Sequence, residues 1–158
     1  MENIPIPEAI ELVYTLKRRG MTLAAAESLT GGKLAAAIVS VPGASAVFAG
    51  GVVSYTNDVK MKLLGVKRET IERYTAVSHE TAREMAIGVR RACGTDVGVS
   101  TTGSAGPDPC DGVEPGRFFV GISFGEECES FEFFVESDRE GVRAAAVEEA
   151  LRAVVGLV

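Results

Sequence analysis

The 158-residue chain reads as an α/β protein, one domain with a mixed sheet flanked by helices. Short apolar runs alternate with helical patterns early in the chain, the order that builds parallel strands. Late in the chain the runs 118–124 and 130–135 stand close together and read as an antiparallel hairpin. Glycines and capping residues punctuate these segments at their junctions.

Glu8 to Arg19 has the spacing of an amphipathic helix, with Ile10, Leu12, Val13 and Leu16 on its apolar face and Gly20 at its end. Thr22 to Ala26 is a short buried strand. Thr30 to Ser40 is an Ala-rich helix stopped by Pro42-Gly43, and Ala46 to Ala49 reads as one further turn. Val52 to Tyr55 is the next strand. Asn57 reads as the N-cap of a helix running to Leu64 and closed by Gly65. Glu69 to Tyr74 is a short helix, and Ser78 caps a strong one from His79 to Cys93. Val97 to Thr101 is a strand, and Asp138 caps the last helix, Glu140 to Val155. The long irregular stretch from Gly103 to Gly116 has the length of a binding loop.

Apolar residues make up 46% and charged residues 24%, an ordinary globular balance. A net charge of −6 argues against a nucleic-acid surface, which needs clustered Lys and Arg. No apolar run is long enough to span a membrane, and the N-terminus lacks a signal-peptide pattern, so a cytoplasmic protein is expected. Cys93, Cys110 and Cys128 are too scattered for a zinc site or a disulfide framework, so no metal is expected. Ala- and Gly-rich helices leave a homo-oligomer open.

The segment 26–32, Ala-Glu-Ser-Leu-Thr-Gly-Gly, carries the chemistry. It places Ser28 where a strand hands over to a helix, with the N–H groups of Thr30, Gly31 and Gly32 as prospective donors to an oxyanion or phosphate. From the residues alone, Ser28 fits either a nucleophile or a helix cap. A nucleotide P-loop is excluded, because Glu27 and Leu34 stand where that pattern needs Gly and Ser or Thr. Lys60 falls at the third helical position if Asn57 is the cap. There the helix dipole and burial both favour the neutral amine, and a Ser–Lys pair is a known nucleophile–base arrangement. From spacing alone, a solvated lysine on a charged helix beside Lys62 is the better reading. Tyr55 could orient Lys60 or bind substrate, and the turn containing Thr102, Gly103, Ala105 and Gly106 could cradle a phosphate or ribose. His79 has no triad or ligand spacing. Arg139 and Arg143 open the last helix, available to an anion or to Glu136, Asp138 and Glu140.

In this order the residues resemble the CinA C-terminal domain family, whose enzymatic members are nicotinamide mononucleotide deamidases. The matching segments are AESLTGG (26–32), VPGASAVFAGGVVSYTNDVKMKLLGV (41–66), AVSHETAREMA (76–86), STTGSAGPD (100–108) and DREGVR (138–143). The resemblance implies a three-layer α/β/α fold with a mixed sheet. It also implies hydrolysis of nicotinamide mononucleotide to nicotinate mononucleotide and ammonia, without a cofactor. Catalysis would fall to Ser28, Lys60 and Tyr55. A pyridine nucleotide would meet Thr30, Gly31, Gly32, Asn57, Thr102, Gly103, Ala105, Gly106 and Arg143. Leu29, Ser104 and the acidic run Glu136-Ser137-Asp138 depart from the family pattern, and Asp108-Pro109-Cys110-Asp111 departs from it at the expected pocket rim. The N-terminal domain of the longer fused relatives is expected to be missing. The competing expectation is a non-catalytic nucleotide-binding or interaction module of the same fold. Joint retention of Ser28, Tyr55 and Lys60 favours the enzyme.

Overall fold

Helix α1 (Pro7–Arg19) starts on a proline, whose missing N–H is no loss in a first helical turn, and ends at Gly20 in the left-handed region. The computed structural model describes residues 4–158. Strand β1 (Leu23–Glu27) is buried along its whole length. Helix α2 (Lys33–Val39) and a single 3-10 turn (Ala44–Ala46) lead to β2 (Phe48–Val53). Helices α3 (Asn57–Leu64), α4 (Arg68–Tyr74) and α5 (His79–Cys93) follow, then β3 (Val97–Gly103), β4 (Arg117–Phe124), β5 (Glu127–Phe134) and α6 (Arg139–Leu157).

The five strands form one sheet in the order β2-β1-β3-β4-β5. β1 lies parallel to both β2 and β3, whereas β3-β4 and β4-β5 are antiparallel, so the sheet is mixed. Alternation along β1 sends its side chains to two different cores. Leu23 and Ala25 join a cluster with Leu12 and Leu16 of α1, Leu34 and Ile38 of α2, and Val142 and Leu151 of α6. Ala24 and Ala26 join Leu64, Met85 and Val89 on the other face. Helices α1, α2 and α6 thus cover one face and the α3–α5 layer the other, the three-layer α/β/α sandwich. Among the described residues, no helix is long and apolar enough to cross a membrane.

Close approach on the second face depends on missing side chains. A Cβ on Gly88 of α5 would run into the Leu64 backbone of α3, and one on Gly121 of β4 would strike Ala82 of α5.

Several boundaries differ from the sequence reading. β2 begins at Phe48, where a turn and then a strand from Val52 were expected. Its Gly50-Gly51 pair reads as a breaker, yet a side chain at Gly51 would collide with the Ala25 carbonyl of β1, so glycine is what lets the strand pair. α2 begins at Lys33, after a turn in which Gly31 and Gly32 both have positive φ. Thr56, not Asn57, caps α3, its Oγ1 accepting the Val59 N–H at 3.3 Å. Lys60 therefore occupies the fourth helical position, one later than expected, and the dipole argument loses force there.

From β1 the chain crosses over one face through α2 to β2, and from β2 it returns over the other through α3–α5 to β3. The connections diverge at the carboxyl ends of β1 and β3, where ligands bind in open α/β sheets.

Candidate active site

Ser28 follows directly on β1, its N–H donating to the Thr101 carbonyl of β3 at 3.0 Å. Lys60 projects from α3 and is only 2% exposed. Its Nζ lies 3.0 Å from Ser28 Oγ and donates to the Ser54 carbonyl at 2.8 Å and the Tyr55 carbonyl at 3.4 Å. Burial lowers the Lys60 pKa to about 8, against a smaller upward pull from Cys110 and Asp111. The nearby Asp58 carboxylate pairs with Lys62 at 3.0 Å. The two groups with nucleophile and base chemistry therefore meet, and the amine is within reach of its neutral form near pH 8.

A cavity of about 210 Å³ opens beside the pair. Ser28, Leu29 and Tyr55 line one part of it, Gly103, Ala105 and Gly106 another. Asp108, Cys110 and Arg139 complete the wall. The Arg139 guanidinium donates to the Gly106 carbonyl and, at 3.3 Å, to Tyr55 Oη, and no carboxylate pairs with it among the described residues. Among the described residues, no group of three His, Cys, Asp or Glu side chains is arranged to hold a metal.

Other residues singled out from the sequence are committed elsewhere. Thr30 is fully buried, and its hydroxyl shares a hydrogen bond with Thr101 at 2.8 Å. The Gly31 N–H closes a turn on the Ser28 carbonyl. The Gly32 N–H donates to Glu27 Oε1 at 3.1 Å, so it is not free for an oxyanion. The N–H groups of Leu29 and Thr30, the two that follow Ser28, have no protein acceptor among the described residues. Thr102 Oγ1 donates to the Ala76 carbonyl at 2.6 Å, which ties β3 to the start of the α5 layer. Asn57 is the exposed first residue of α3 and does not line the cavity. Arg143 stands outside the lining too. It pairs with Glu140 and donates to the Leu29 and Thr30 carbonyls at 2.8 and 3.2 Å, fastening the turn after Ser28. His79 contacts Ser130 at 2.7 Å and Glu132 at 3.7 Å, away from the cavity lining.

Arg139 rather than Arg143 is the guanidinium in the cavity. Both open α6, but Arg139 reaches the Gly106 carbonyl and Tyr55 Oη, whereas Arg143 turns to Glu140 and the Leu29 and Thr30 carbonyls. The sequence held one usable signal: Glu140 lies three residues from Arg143, a favourable helical pair that removes Arg143 from service. From the sequence, Asp108 stands out only as a departure from the family pattern, and Cys110 only as that and as a scattered cysteine.

The model of the CinA C-terminal domain matches residues 7–158. The chain belongs to the CinA C-terminal domain family. This CinA domain is 50% identical over 133 residues to a Bacillus subtilis (strain 168) protein named as competence-damage inducible, covering 84% of this chain and 32% of that protein. A Clostridium novyi (strain NT) protein of the same name is 46% identical over 132 residues, 83% of this chain and 32% of its own length. The domain thus spans about a third of the curated relatives it matches. Solved structures match it end to end. A CinA superfamily protein from Escherichia coli superposes with a TM-score of 0.93 at 30% identity, covering 99% of this chain and 97% of that one. The competence damage-inducible protein A of Klebsiella pneumoniae gives 0.92 at 32% identity, covering 95% and 94%.

Proposed function

We propose that this CinA domain is an amidase that hydrolyses the carboxamide of nicotinamide mononucleotide to nicotinate mononucleotide and ammonia. The observation that carries the reading is the 3.0 Å contact between Lys60 Nζ and Ser28 Oγ at the edge of a cavity. A neutral Lys60 keeps its two protons on the Ser54 and Tyr55 carbonyls and turns its lone pair to the Ser28 hydroxyl.

Ser28 Oγ attacks the amide carbon as Lys60 takes the hydroxyl proton, and the carbonyl oxygen becomes an oxyanion. The free N–H groups of Leu29 and Thr30 are the donors best sited in sequence to meet it. Collapse breaks the C–N bond, and the Lys60 ammonium returns its proton to the leaving amine, releasing ammonia. Water then attacks the acyl-Ser28 ester with Lys60 again as base, freeing the carboxylate and restoring the hydroxyl. Arg139, the cavity cation without a carboxylate partner, suits the substrate phosphate, and Tyr55 orients its guanidinium.

Acid-quenched mass spectrometry of protein mixed with nicotinamide mononucleotide tests this reading. The expected result is an adduct of the acyl nucleotide on the peptide bearing Ser28, together with free ammonia. Ammonia release without Ser28 in the reaction, or no release from any nicotinamide derivative, would overturn it.

A further inference from the structure

Glu27 is a carboxylate only 2% exposed, one residue before the proposed nucleophile, and it makes no ion pair among the described residues. Its charge is met instead by backbone. Oε1 accepts the Gly32 N–H at 3.1 Å and the Leu34 N–H at 2.8 Å, and Oε2 accepts the Ala35 N–H at 3.0 Å. A buried carboxylate is tolerated when N–H groups satisfy it in this way, and it offsets the positive end of α2. The turn from Ser28 to Gly32 is therefore bracketed at both ends by one residue, Glu27, through main chain on one side and carboxylate on the other.

The main chain of Glu27 reaches the base as well. Its carbonyl accepts the Ser54 N–H at 2.7 Å and the Ser54 Oγ–H at 3.1 Å. The Ser54 carbonyl in turn accepts from Lys60 Nζ at 2.8 Å. Nucleophile and base thus hang from a single strand-end residue by separate routes.

We infer that Glu27 is a positioning residue for the Ser28–Lys60 pair: its carboxylate, bound by the Gly32, Leu34 and Ala35 N–H groups, fixes the turn that sets Ser28 Oγ against Lys60 Nζ. It touches neither substrate nor reacting atoms. Of the N–H groups that the sequence offers to a phosphate, Gly32 is taken by this carboxylate and Gly31 by the Ser28 carbonyl, which leaves that of Thr30. This inference rests on the amidase reading for its catalytic meaning, although the geometry of the turn stands apart from it.

Glu27→Gln tests it with the shape retained. The glutamine oxygen still accepts from Gly32 and Leu34, but its amide nitrogen faces the Ala35 N–H donor to donor. Two readouts are taken on folded protein: ammonia release, split into kcat and KM, and the rate at which a fluorophosphonate labels Ser28. Glu84→Gln is the control, because Glu84 likewise accepts a backbone N–H, from Lys67 at 2.8 Å, and the Thr70 hydroxyl, without touching the Ser28 turn.

The expected result is a fall in kcat and in labelling rate on the order of 10- to 100-fold for Glu27→Gln, with KM within about twofold. Glu84→Gln lowers the melting temperature and leaves both rates unchanged. Wild-type rates in a folded Glu27→Gln protein would overturn the positioning role while leaving the amidase intact. Slowed labelling in a protein that never releases ammonia would uphold the positioning role and overturn the amidase. A wild type that neither labels nor releases ammonia overturns both.

Discussion

Lys60 Nζ and Ser28 Oγ stand 3.0 Å apart although α3 and the end of β1 approach from different layers of the fold. The contact needs the lysine buried, and burial of an amine without a carboxylate partner costs stability. That tension gives the pair its measurable signatures.

Lys60→Met removes the base and fills the same space with an apolar chain. Ammonia release is expected to fall by at least about 10³-fold, since base and nucleophile act as one unit. Stability at pH 7 is expected to rise by roughly 1–3 kcal/mol, the relief of the buried charge less the cost of the orphaned Ser54 carbonyl. Urea unfolding of both proteins checks it.

The pH dependence has a fixed sign. Folding lowers the Lys60 pKa from 10.5 to about 8, so between those values the unfolded chain binds more protons and the Lys60 contribution to stability rises with pH. Below pH 8 both states are protonated and the penalty is present in full. The advantage of Lys60→Met is therefore expected to shrink between pH 8 and 10.5. In the wild type, kcat/KM should climb with pH and level off above about 8. Parallel pH–rate and pH–stability series measure both.

Arg139→Ala is expected to raise KM for nicotinamide mononucleotide by roughly 10- to 100-fold, the loss of a charge-assisted contact. KM for nicotinamide riboside, which lacks the phosphate, should change by no more than about twofold. Arg143→Ala, by contrast, removes bonds to the Leu29 and Thr30 carbonyls, so its effect belongs in kcat and thermal stability.

The fold itself makes a prediction at Gly88. Alanine there pushes against the Leu64 backbone. Since α3 carries Lys60, the shift reaches the base. Gly88→Ala is expected to lose roughly 1–3 kcal/mol and part of its activity together, read by melting temperature and ammonia release on the same sample.

Much of this was legible in the sequence because it is local. Ser78 and Asp138 cap the helices they precede, and Gly65 and Gly94 end theirs in the left-handed region, each a matter of a few neighbouring residues. The mixed sheet followed from the order of apolar runs. What escaped depends on distant partners. Gly50-Gly51 reads as a break until Ala25 lies beside it, and it is Thr56, not Asn57, whose side chain accepts the Val59 N–H at the start of α3. At the site, the sequence named Ser28 and Lys60 but could not state that they touch. It offered the Gly32 N–H to substrate, because nothing local shows that the Glu27 carboxylate folds back onto it.

The central measurement is ammonia release from nicotinamide mononucleotide by wild type, Ser28→Ala and Lys60→Ala, each verified as folded by circular dichroism. The expected result is turnover by the wild type and loss of it in both variants. Turnover that survives Ser28→Ala, or a folded wild type inactive on the mononucleotide, the riboside and nicotinamide alike, would contradict the Ser28–Lys60 amidase.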